Sequence, residues 1–404
     1  MFVLVLNAGS SSVKYQLFNM ENKWILARGQ CERIGLDGKL VHKVPGKDDF
    51  VLESPMPTHS IAIKEIMAAL TDPGHGVIKN MSEIGAVGHR IVHGGPHLIK
   101  STLVTPEVIA ELEKCIELAP LHTGPHLMGI RGALEFLPST PQVLVFDTAF
   151  HQTMPKYAYT YAIPKDMAEK YRIRRYGFHG TSHKYVSTLA IETLRKSGLK
   201  PDSSKIVTCH LGNGSSITAV KGGKVLDTSM GFTPLEGIVM GSRTGSMDPA
   251  IVTSIMEKEG FTPSDMYEFM NKQCGIVSVS GVSSDLRDIM DACAAGNEDA
   301  ILALEILCYG IKKYIGSYAA VMGGIDAVVF TAGIGENNDE VRRMSTQGLG
   351  FLGIELDLER NRNAKRIGGD VVEISTPASR AKVYVIPTNE ELVIAQETYD
   401  LMKA

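Results

Sequence analysis

One short pattern occurs twice in this chain, once in each half, and it limits the folds that the chain can adopt. Residues 3–12 form an apolar run that ends in small polar residues, VLVLNAGSSS, and residues 206–216 repeat the arrangement as IVTCHLGNGSS. In each copy a Gly-Ser-Ser triplet precedes a β-rich segment, which predicts a strand, a tight turn and a second strand. Gly and Ser at such a bend let backbone N–H groups and hydroxyls approach an anion, as phosphate-binding turns do. Two ordinary hairpins would explain either copy alone, whereas two copies favour a duplicated fold with a nucleotide held between its halves.

Length and composition are typical of a globular protein of two or three domains. The chain has 404 residues, of which 44% are hydrophobic and 21% charged, and its formal net charge is −4. This weak negative charge gives no general attraction to nucleic acid or to an anionic membrane, so we expect neither as a partner. The six cysteines are scattered without a C-x-x-C pair, and we find neither a signal peptide nor an apolar stretch of bilayer-spanning length. These features predict a cytoplasmic location.

Strand and helix patterns alternate along the chain, which predicts an α/β architecture. Residues 143–146 and 327–330 are short apolar runs typical of buried strands, and residues 300–322 form a long helical pattern. Thr105-Pro106 predicts a helix start, with Val108, Leu112, Cys115 and Ile116 forming one apolar face before Pro120. Asp248-Pro249 and Thr262-Pro263 predict two further helix starts, and the tail predicts a strand followed by a capped helix.

The domain boundary is predicted near residues 152–158, before the second half begins its own strands. We expect an N-terminal domain of residues 1–150 plus 386–404, because the last helix of duplicated folds often returns to the first domain. Residues 151–385 are expected to form the C-terminal domain.

Four loops follow apolar strands, at residues 7–14, 147, 210–216 and 333–337. Ligands of α/β sheets collect at the carboxyl ends of strands, so we expect these loops to meet around one crevice. The chain lacks the P-loop pattern G-x-x-x-x-G-K-[ST] and has no G-x-G-x-x-G that opens a helix in the expected place. The phosphate-binding hairpins are therefore of another kind.

Five motifs, in order along the whole chain, resemble the signatures of the acetate kinases. They are N-x-G-S-S-S-x-K at residues 7–14, GHR-x-VHGG at 88–95, YGFHGTSH at 176–183, HLGNG at 210–214 and PTNEE at 387–391. The resemblance implies the fold shared by sugar kinases, actin and chaperone ATPases: two RNase-H-like domains with the active site in the cleft between them. It also implies Mg²⁺-dependent, reversible, direct in-line transfer of the ATP γ-phosphoryl group to acetate, and a homodimer formed through the second domain.

The chemistry of such a transfer agrees with the residue types in these motifs. A carboxylic acid with a pKa near that of Glu, roughly 4.3, is already ionised at pH 7 and needs no general base to act as a nucleophile. It does need charge neutralisation, because the γ-phosphoryl group is anionic as well. A propionate or butyrate kinase of the same family is the alternative enzyme. A nucleotide-driven ATPase with a conformational output is the alternative class, but it has no need for carboxylate-binding arginines such as Arg90 and Arg243.

The resemblance also implies roles for individual residues. Arg90 would hold the substrate carboxylate, Arg243 and His179 would stabilise the phosphoryl group in transfer, and Asp147 would orient the nucleophile or a metal-bound water. The other substrate-binding residues implied, mostly around the methyl group, are Val92, Leu121, His122, Phe178 and Pro234.

The nucleotide and the metal ion are assigned by the same resemblance. Asn7 and Glu390 would hold Mg²⁺, directly or through water, and Mn²⁺ could replace it. The residues implied to line ATP are Lys14, Ser10, Ser12, His210, Leu211, Gly212, Asn213, Gly214, Asp285, Leu286, Arg287, Gly333, Ile334, Gly335, Glu336 and Asn337.

Simpler explanations exist for some of these residues. The spacings His89-His93-His97 and His179-His183 match helical metal ligands, but residues 94–96 break a helix and no carboxylate completes a zinc set. His122 and His126 could be hydrogen-bonded loop histidines. Without the resemblance, Glu390 would be read as a charge in the first turn of a helix.

Overall fold

A computed structural model describes residues 1–367 and 370–403, apart from the side chains of Leu121 and Arg366. The chain divides into two compact units. Unit 1 comprises Met1–Ala149 and Asn389–Ala404, and unit 2 comprises Phe150–Thr388. None of the helices in the described part of the chain combines the length and apolarity that crossing a bilayer requires.

The strands of both units are short, and most belong to segments with alternating or continuous apolar residues. In chain order they are β1 (Phe2–Ala8), β2 (Val13–Asn19), β3 (Trp24–Glu32), β4 (Lys39–Lys43), β5 (Phe50–Glu53), β6 (Ile84–Ile91), β7 (Thr102–Leu103), β8 (Gln142–Phe146), β9 (Lys205–Leu211), β10 (Ser215–Lys221), β11 (Lys224–Thr228), β12 (Ala327–Thr331), β13 (Val372–Glu373) and β14 (Lys382–Val385).

The helices are interspersed with the strands, but the alternation expected from the sequence is not strict, because β1–β5 all come before the first α-helix. They are α1 (His59–Thr71), α2 (Pro106–Glu113), α3 (Pro120–Phe136), α4 (Lys156–Tyr159), α5 (Lys165–Lys170), α6 (Gly180–Lys196), α7 (Pro249–Glu259), α8 (Pro263–Lys272), α9 (Ile276–Ser280), α10 (Leu286–Ala294), α11 (Glu298–Met322), α12 (Ala332–Asn337), α13 (Asp339–Thr346), α14 (Leu358–Arg362), α15 (Ala364–Ile367) and α16 (Glu390–Lys403).

The sheet of unit 1 has the strand order β5-β4-β3-β2-β1-β6-β8-β7. β1 pairs antiparallel with β2 and parallel with β6, which in turn pairs parallel with β8. Because side chains alternate along a strand, Leu4 and Leu6 of β1 pack into the core beneath α1 and α3. Val3 and Val5 pack on the opposite face with apolar residues of α16. Both faces of β1 are therefore buried, which fixes its register.

The sheet of unit 2 repeats this plan, with the order β11-β10-β9-β12-β14-β13. β9 pairs antiparallel with β10 and parallel with β12, as β1 does with β2 and β6. One face packs against a core that includes α11, and the other packs against α6. The α/β class and the duplication predicted from the sequence are confirmed.

Local signals placed several elements correctly. Thr105 accepts a hydrogen bond from the N–H of Val108 at 3.2 Å and so caps α2. Asp248 caps α7 and Thr262 caps α8, each before a Pro in the first turn. The strands predicted at 143–146 and 327–330 and the long helix predicted at 300–322 are present as β8, β12 and α11.

Two local predictions were wrong, and one alternative reading is excluded. Residues 333–337 form the helix α12 rather than a loop. Helix α2 ends at Glu113, so Ile116, expected on its apolar face, is exposed while Leu112 and Cys115 are buried. Both His122 and His126 lie in α3, so neither is a loop histidine. A helix that begins at Pro120 explains this last difference, because Pro in the first turn is compatible with a helix.

Candidate active site

Polar residues gather at the carboxyl ends of the parallel strands of unit 1. Arg90 lies near the end of β6, and Asp147 directly follows β8, where its N–H donates to the C=O of Ile91 at 2.8 Å. Gly88 allows α16 to pack closely on β6, since a Cβ at this position would lie 2.4 Å from Oγ1 of Thr398. The strand ends therefore bring together residues that are far apart in sequence, as expected for α/β sheets.

The guanidinium of Arg90 is held between two carboxylates. Its Nη2 donates to Oδ2 of Asp147 at 2.7 Å, its Nε donates to Oδ1 of the same residue at 3.4 Å, and its Nε lies 3.7 Å from Oε2 of Glu390. Asp147 is 1% exposed, whereas the Arg90 side chain is 23% exposed. The charge of Asp147, followed by that of Glu390, raises the pKa of Arg90. Arg90 is therefore a fixed, permanently charged group that solvent can still reach.

The donors near Arg90 suit a hard divalent cation. Two carboxylates share one guanidinium, which leaves an excess negative charge, and Asn7 at the end of β1 adds a carboxamide. Within the described residues no group of three or more His, Cys, Asp and Glu is placed to hold a metal ion. Mg²⁺ is commonly bound through one or two carboxylates, several waters and substrate phosphates. The residues present fit this mode of binding.

The first hairpin forms as predicted. The N–H of Gly9 donates to the C=O of Ser12 at 2.8 Å, and the hydroxyl-bearing turn faces solvent at Ser10. Lys14, on β2, is exposed and lines a cavity of about 240 Å³ together with Asn7. The turn and Lys14 are therefore accessible to an anion.

The predicted residues of the methyl pocket are divided between the units. In unit 1, Val92 is buried and His122 stacks on His126 with 6.3 Å between ring centroids. The side chain of Leu121 lies outside the described part of the structure. In unit 2, Phe178 is buried and the C=O of Pro234 accepts a hydrogen bond at 3.0 Å from Nη1 of Arg243.

His126, which the sequence analysis left without a role, connects two parts of the site in unit 1. Its Nε2 accepts the N–H of Val92 at 3.2 Å, and its Nδ1 donates to the C=O of Ala8 at 3.0 Å. Burial first, and the charge of Arg90 second, lower the pKa of His126 to about 3, so the ring is neutral at pH 7. The ring thus links the backbone at Val92, after β6, to the backbone at Ala8, where the first hairpin begins.

His179 and Arg243 converge on one point in unit 2. His179 has a left-handed backbone (φ 57°) at the start of α6. Residues other than Gly seldom adopt this conformation, and those that do are often found at functional sites. A Cβ built on Gly214 would lie 3.5 Å from Nη1 of Arg243 and 3.6 Å from Nε2 of His179. Burial lowers the pKa of Arg243. Arginine side chains nevertheless stay charged in proteins. The guanidinium of Arg243 and the imidazole of His179, which can carry a positive charge, therefore lie together beside the second hairpin, formed by β9 and β10.

A cavity of about 720 Å³ lies close to this hairpin and is entirely within unit 2. Most of its lining consists of residues predicted for ATP, and Ser284, Asn338 and Lys365 are additions that no sequence motif indicated. The residues that line it are Gly212, Asn213, Ser284, Asp285, Leu286, Arg287, Gly333, Ile334, Asn337, Asn338 and Lys365.

The other residues predicted for ATP have different surroundings. Leu211 is part of the hydrophobic core, and Gly335 packs against β12, where a Cβ would lie 3.3 Å from the carbonyl carbon of Phe330. Glu336 accepts the N–H of Thr388 at 3.1 Å, and His210 is hydrogen-bonded through Nδ1 to Ser182 at 2.7 Å. None of these four residues is among those that line the cavity.

Asp285 and Arg287 form an ion pair at the rim of the cavity. Nη2 of Arg287 lies 2.6 Å from Oδ2 of Asp285, and the hydrogen bond from Arg287 lowers the pKa of Asp285 to about 2. Arg287 is 89% exposed, so the pair contributes little to stability but presents a guanidinium to solvent at the cavity edge.

Arg342 supports the cavity and was missed by the sequence analysis. It is 2% exposed, and its Nη1 donates to the C=O groups of Gly335 at 2.8 Å and Glu336 at 3.1 Å. Its Nε and Nη2 donate to the side chain and backbone of Asn361 at 2.7 and 2.8 Å. Burial lowers the pKa of Arg342 to about 10, so it stays charged at pH 7. No local pattern distinguishes it from a surface arginine.

Comparisons with known proteins find relatives that match the whole chain. A family model described as the acetokinase family matches residues 2–396. The chain is 53% identical to an acetate kinase of Acetivibrio thermocellus over the whole of both chains. Its structure is similar to that of Porphyromonas gingivalis acetate kinase (TM-score 0.93, 49% identity, 99% of each chain covered). It is also similar to a propionate kinase from Francisella tularensis (TM-score 0.89, 40% identity, 99% of each chain covered).

Proposed function

Because the chain belongs to the acetokinase family and is an acetate kinase (EC 2.7.2.1), we propose that it transfers the γ-phosphoryl group of ATP to acetate directly, in line and reversibly. ATP and acetate are its substrates. The observation that carries the proposed mechanism is the arrangement around Arg90, which is fixed by Asp147 and still accessible to solvent.

Arg90 binds the acetate carboxylate in this proposal. Asp147 uses two of the five guanidinium N–H groups, and the remaining ones are donors for a substrate. Charge-assisted hydrogen bonds from a guanidinium suit the two oxygens of a carboxylate. Asp147 acts by orienting Arg90 and not as a base, since acetate is already ionised at neutral pH.

His179 and Arg243 stabilise the charge of the phosphoryl group during transfer. Both approach the backbone of Gly214, in the hairpin whose Gly and Ser residues resemble phosphate-binding turns. Positive groups that are already in place when charge develops lower the barrier without reorganisation. The nucleotide occupies the cavity of about 720 Å³ in the same unit.

Asn7 and Glu390 hold Mg²⁺, directly or through water. When bound, the cation supplies charge neutralisation for the phosphate oxygens. Glu390 also lies 3.7 Å from Arg90, so it contributes to the negative environment that keeps the guanidinium charged.

A homodimer through unit 2 is part of the proposal, as is a cytoplasmic location. Leu302, Ile306 and Tyr309 are exposed on one side of α11, at the spacing of a continuous helix face. Exposed apolar patches of this kind often bind another protein surface, here a second copy of the chain. Light scattering should give the mass of a dimer, and Ile306→Glu should lower it, whereas Trp24→Glu on unit 1 should not. A monomeric wild type would contradict the dimer.

The catalytic roles are tested by an assay in which acetyl phosphate is trapped as the hydroxamate. With ATP, Mg²⁺ and acetate, His179→Ala and Arg243→Ala should each lower kcat roughly 10²–10³-fold, as removal of other single electrostatic stabilisers does. The control Arg360→Ala removes an exposed arginine of unit 2 and should leave kcat unchanged. A near-normal kcat for either variant would remove that residue from the proposed mechanism.

The metal assignment has its own test. Glu390→Ala should raise the Mg²⁺ concentration that gives half-maximal activity, while the exposed control Glu113→Ala should not. As a charge in the first turn of α16, Glu390 would otherwise contribute only about 0.3–1 kcal/mol to stability. An unchanged Mg²⁺ requirement would leave Glu390 with that structural role alone.

A further inference from the structure

A row of hydrogen-bonded side chains lies behind His179 in unit 2. Nδ1 of His179 is 2.8 Å from Oγ of Ser216, which is 2.7 Å from Nε2 of His183. Nδ1 of His183 is 2.7 Å from Oγ1 of Thr208, and that hydroxyl is 3.4 Å from the C=O of Thr218. Three elements contribute to the row: α6 supplies His183, while β9 and β10 supply Thr208 and Ser216.

The interior members of this row are fully buried. Ser216, His183 and Thr208 are each 0% exposed. Burial first, and then the neighbouring His151 and His210, lower the pKa of His183 well below its ordinary value. His183 is thus neutral at pH 7 and carries one N–H, so one of its ring nitrogens must donate and the other must accept.

The backbone carbonyl at the end of the row gives it a direction. A carbonyl can only accept, so the Thr208 hydroxyl donates to Thr218 and accepts from Nδ1–H of His183. Nε2 of His183 then accepts the hydroxyl proton of Ser216. The Ser216 oxygen is left to accept, and His179 must donate to it from Nδ1.

Contacts around the ring orient the other nitrogen of His179. The ring stacks on His210 with 4.1 Å between centroids and 20° between planes. Nε2 points toward the second hairpin, 3.6 Å from a Cβ built on Gly214, where Nη1 of Arg243 also approaches. The charged or titratable groups that face His179 include Arg243, His210 and His183.

We propose that Ser216 and His183 are positioning residues that hold Nδ1 of His179 protonated, so that its second proton binds at Nε2 and faces the phosphoryl group. This inference rests on the proposed catalytic role of His179. An acceptor fixed at Nδ1 favours the imidazolium, which donates from both nitrogens, and the anionic phosphoryl group favours the same form. A neutral ring of this tautomer would present a lone pair to the phosphoryl oxygens instead.

The tautomer can be read by ¹⁵N NMR of the full-length protein labelled at histidine. The His179 signals are assigned by their loss in His179→Ala. In the wild type without nucleotide, at a pH where the ring is neutral, Nδ1 should carry the proton and Nε2 should not. Ser216→Ala should shift this equilibrium toward Nε2–H, whereas the control Thr228→Val, which removes a buried hydroxyl of β11, should not. A wild-type ring protonated at Nε2 alone would overturn the proposal.

Kinetics separate a positioning role from a merely structural one. Ser216→Ala should lower kcat about 10- to 150-fold, the loss expected for a hydrogen bond to a charged group, with little change in KM for ATP or acetate. His183→Gln keeps an acceptor for the Ser216 hydroxyl and should retain more activity than His183→Ala. In a His179→Ala background, Ser216→Ala should cause no further loss, because it acts through His179.

The outcomes distinguish this inference from the proposed function. If His179→Ala lowers kcat but Ser216→Ala changes neither kcat nor the tautomer, the positioning role is wrong and the catalytic role of His179 stands. If His179→Ala retains normal kcat, the proposed function of His179 fails, whereas the NMR measurement still reports whether Ser216 sets its tautomer.

Discussion

At the scale of single residues, Arg90 shows how neighbours decide what a side chain does. From the sequence alone, an arginine in a glycine-containing strand segment could equally well be a surface residue that pairs with a nearby carboxylate. Here Asp147, 57 positions away in the sequence, fixes the guanidinium in one orientation, and Glu390 adds a second negative charge. A preorganised arginine binds an anion with less loss of side-chain entropy than a mobile one. The position of Arg90 therefore matters as much as its charge.

Arg90→Ala should raise the KM for acetate far more than the KM for ATP. Loss of a hydrogen bond to a charged group costs on the order of 1.5–3 kcal/mol, which corresponds to about 10- to 150-fold in affinity. Initial rates with each substrate varied in turn give the two constants. Arg131→Ala, which removes an exposed arginine of α3, is the matched control and should change neither. Equal effects on both constants would contradict the assignment of Arg90 to the carboxylate.

Val92→Ala should improve propionate relative to acetate as a substrate. Val92 is buried and its backbone is held by His126, so a smaller side chain leaves space that the backbone does not move to fill. One methylene in an apolar pocket is worth about 1–3 kcal/mol, so the wild type should prefer acetate over propionate and more clearly over butyrate. The ratio of kcat/KM values for the three acids is the measurement. Comparable values for acetate and propionate in the wild type, or a ratio unaffected by the substitution, would disprove this role.

At the scale of elements, the segment after β12 depends on a partner that lies outside it. Ala332 has a left-handed backbone (φ 63°) where β12 ends and α12 begins. Helix α12 is only six residues long, and a helix of that length is not stable alone in water. Arg342 on α13 donates to two of its carbonyl groups and connects them to Asn361 on α14. A buried cation thus stabilises the helix that forms part of the cavity lining.

Arg342→Met should raise the KM for ATP about 10-fold with little change in the KM for acetate, because α12 lines the cavity that we propose for the nucleotide. The buried carbonyl groups of Gly335 and Glu336 would lose their donor, which should also lower the free energy of unfolding by about 1–3 kcal/mol. Arg343→Met is a well-matched control, since Arg343 is the adjacent residue and forms a partly exposed pair with Glu340. Steady-state kinetics and denaturant unfolding are the measurements. A change in both KM values to the same extent would indicate a general loss of structure instead.

At the scale of the whole molecule, both units contain buried neutral histidines. Burial lowers the pKa of His126 to about 3, of His89 and His151 to about 4, and of His183 well below its ordinary value. In the unfolded chain the pKa of these rings returns to about 6.5. Below that pH the unfolded state binds protons that the folded state does not. These residues therefore stabilise the fold fully above pH 6.5, and the contribution is lost as the pH falls toward 4.

We expect the stability of the protein to fall between pH 7 and pH 5.5, above the range in which most carboxylates titrate. Each of these histidines should contribute about 1 kcal/mol to the difference over this interval. Urea unfolding midpoints at the two pH values measure it. His126→Gln should reduce the pH dependence, whereas substitution of the exposed His97 by Gln should not. A midpoint that stays constant from pH 7 to 5.5 in the wild type would show that these rings titrate normally in the fold.

Two kinds of feature could be determined from the sequence by itself: local elements, which depend on neighbouring residues, and the family, which the order of the motifs indicates. Turn chemistry and apolar periodicity predicted both hairpins, the capped helices and the buried strands, since these signals act over a few residues. The ordered motifs indicated the family, and with it the duplicated α/β fold and the reaction.

Only the tertiary structure decided which residues support the site. The contacts of Arg90 with Asp147, of His126 with Ala8, and of Arg342 with Asn361 join positions 19 to 118 residues apart. A buried arginine and a buried histidine look like their surface counterparts in a sequence, because desolvation and hydrogen-bond partners are properties of the folded chain. For the same reason residues 333–337 were expected to be a glycine-rich loop: the helix there is stabilised by a side chain from another element, which no local pattern records.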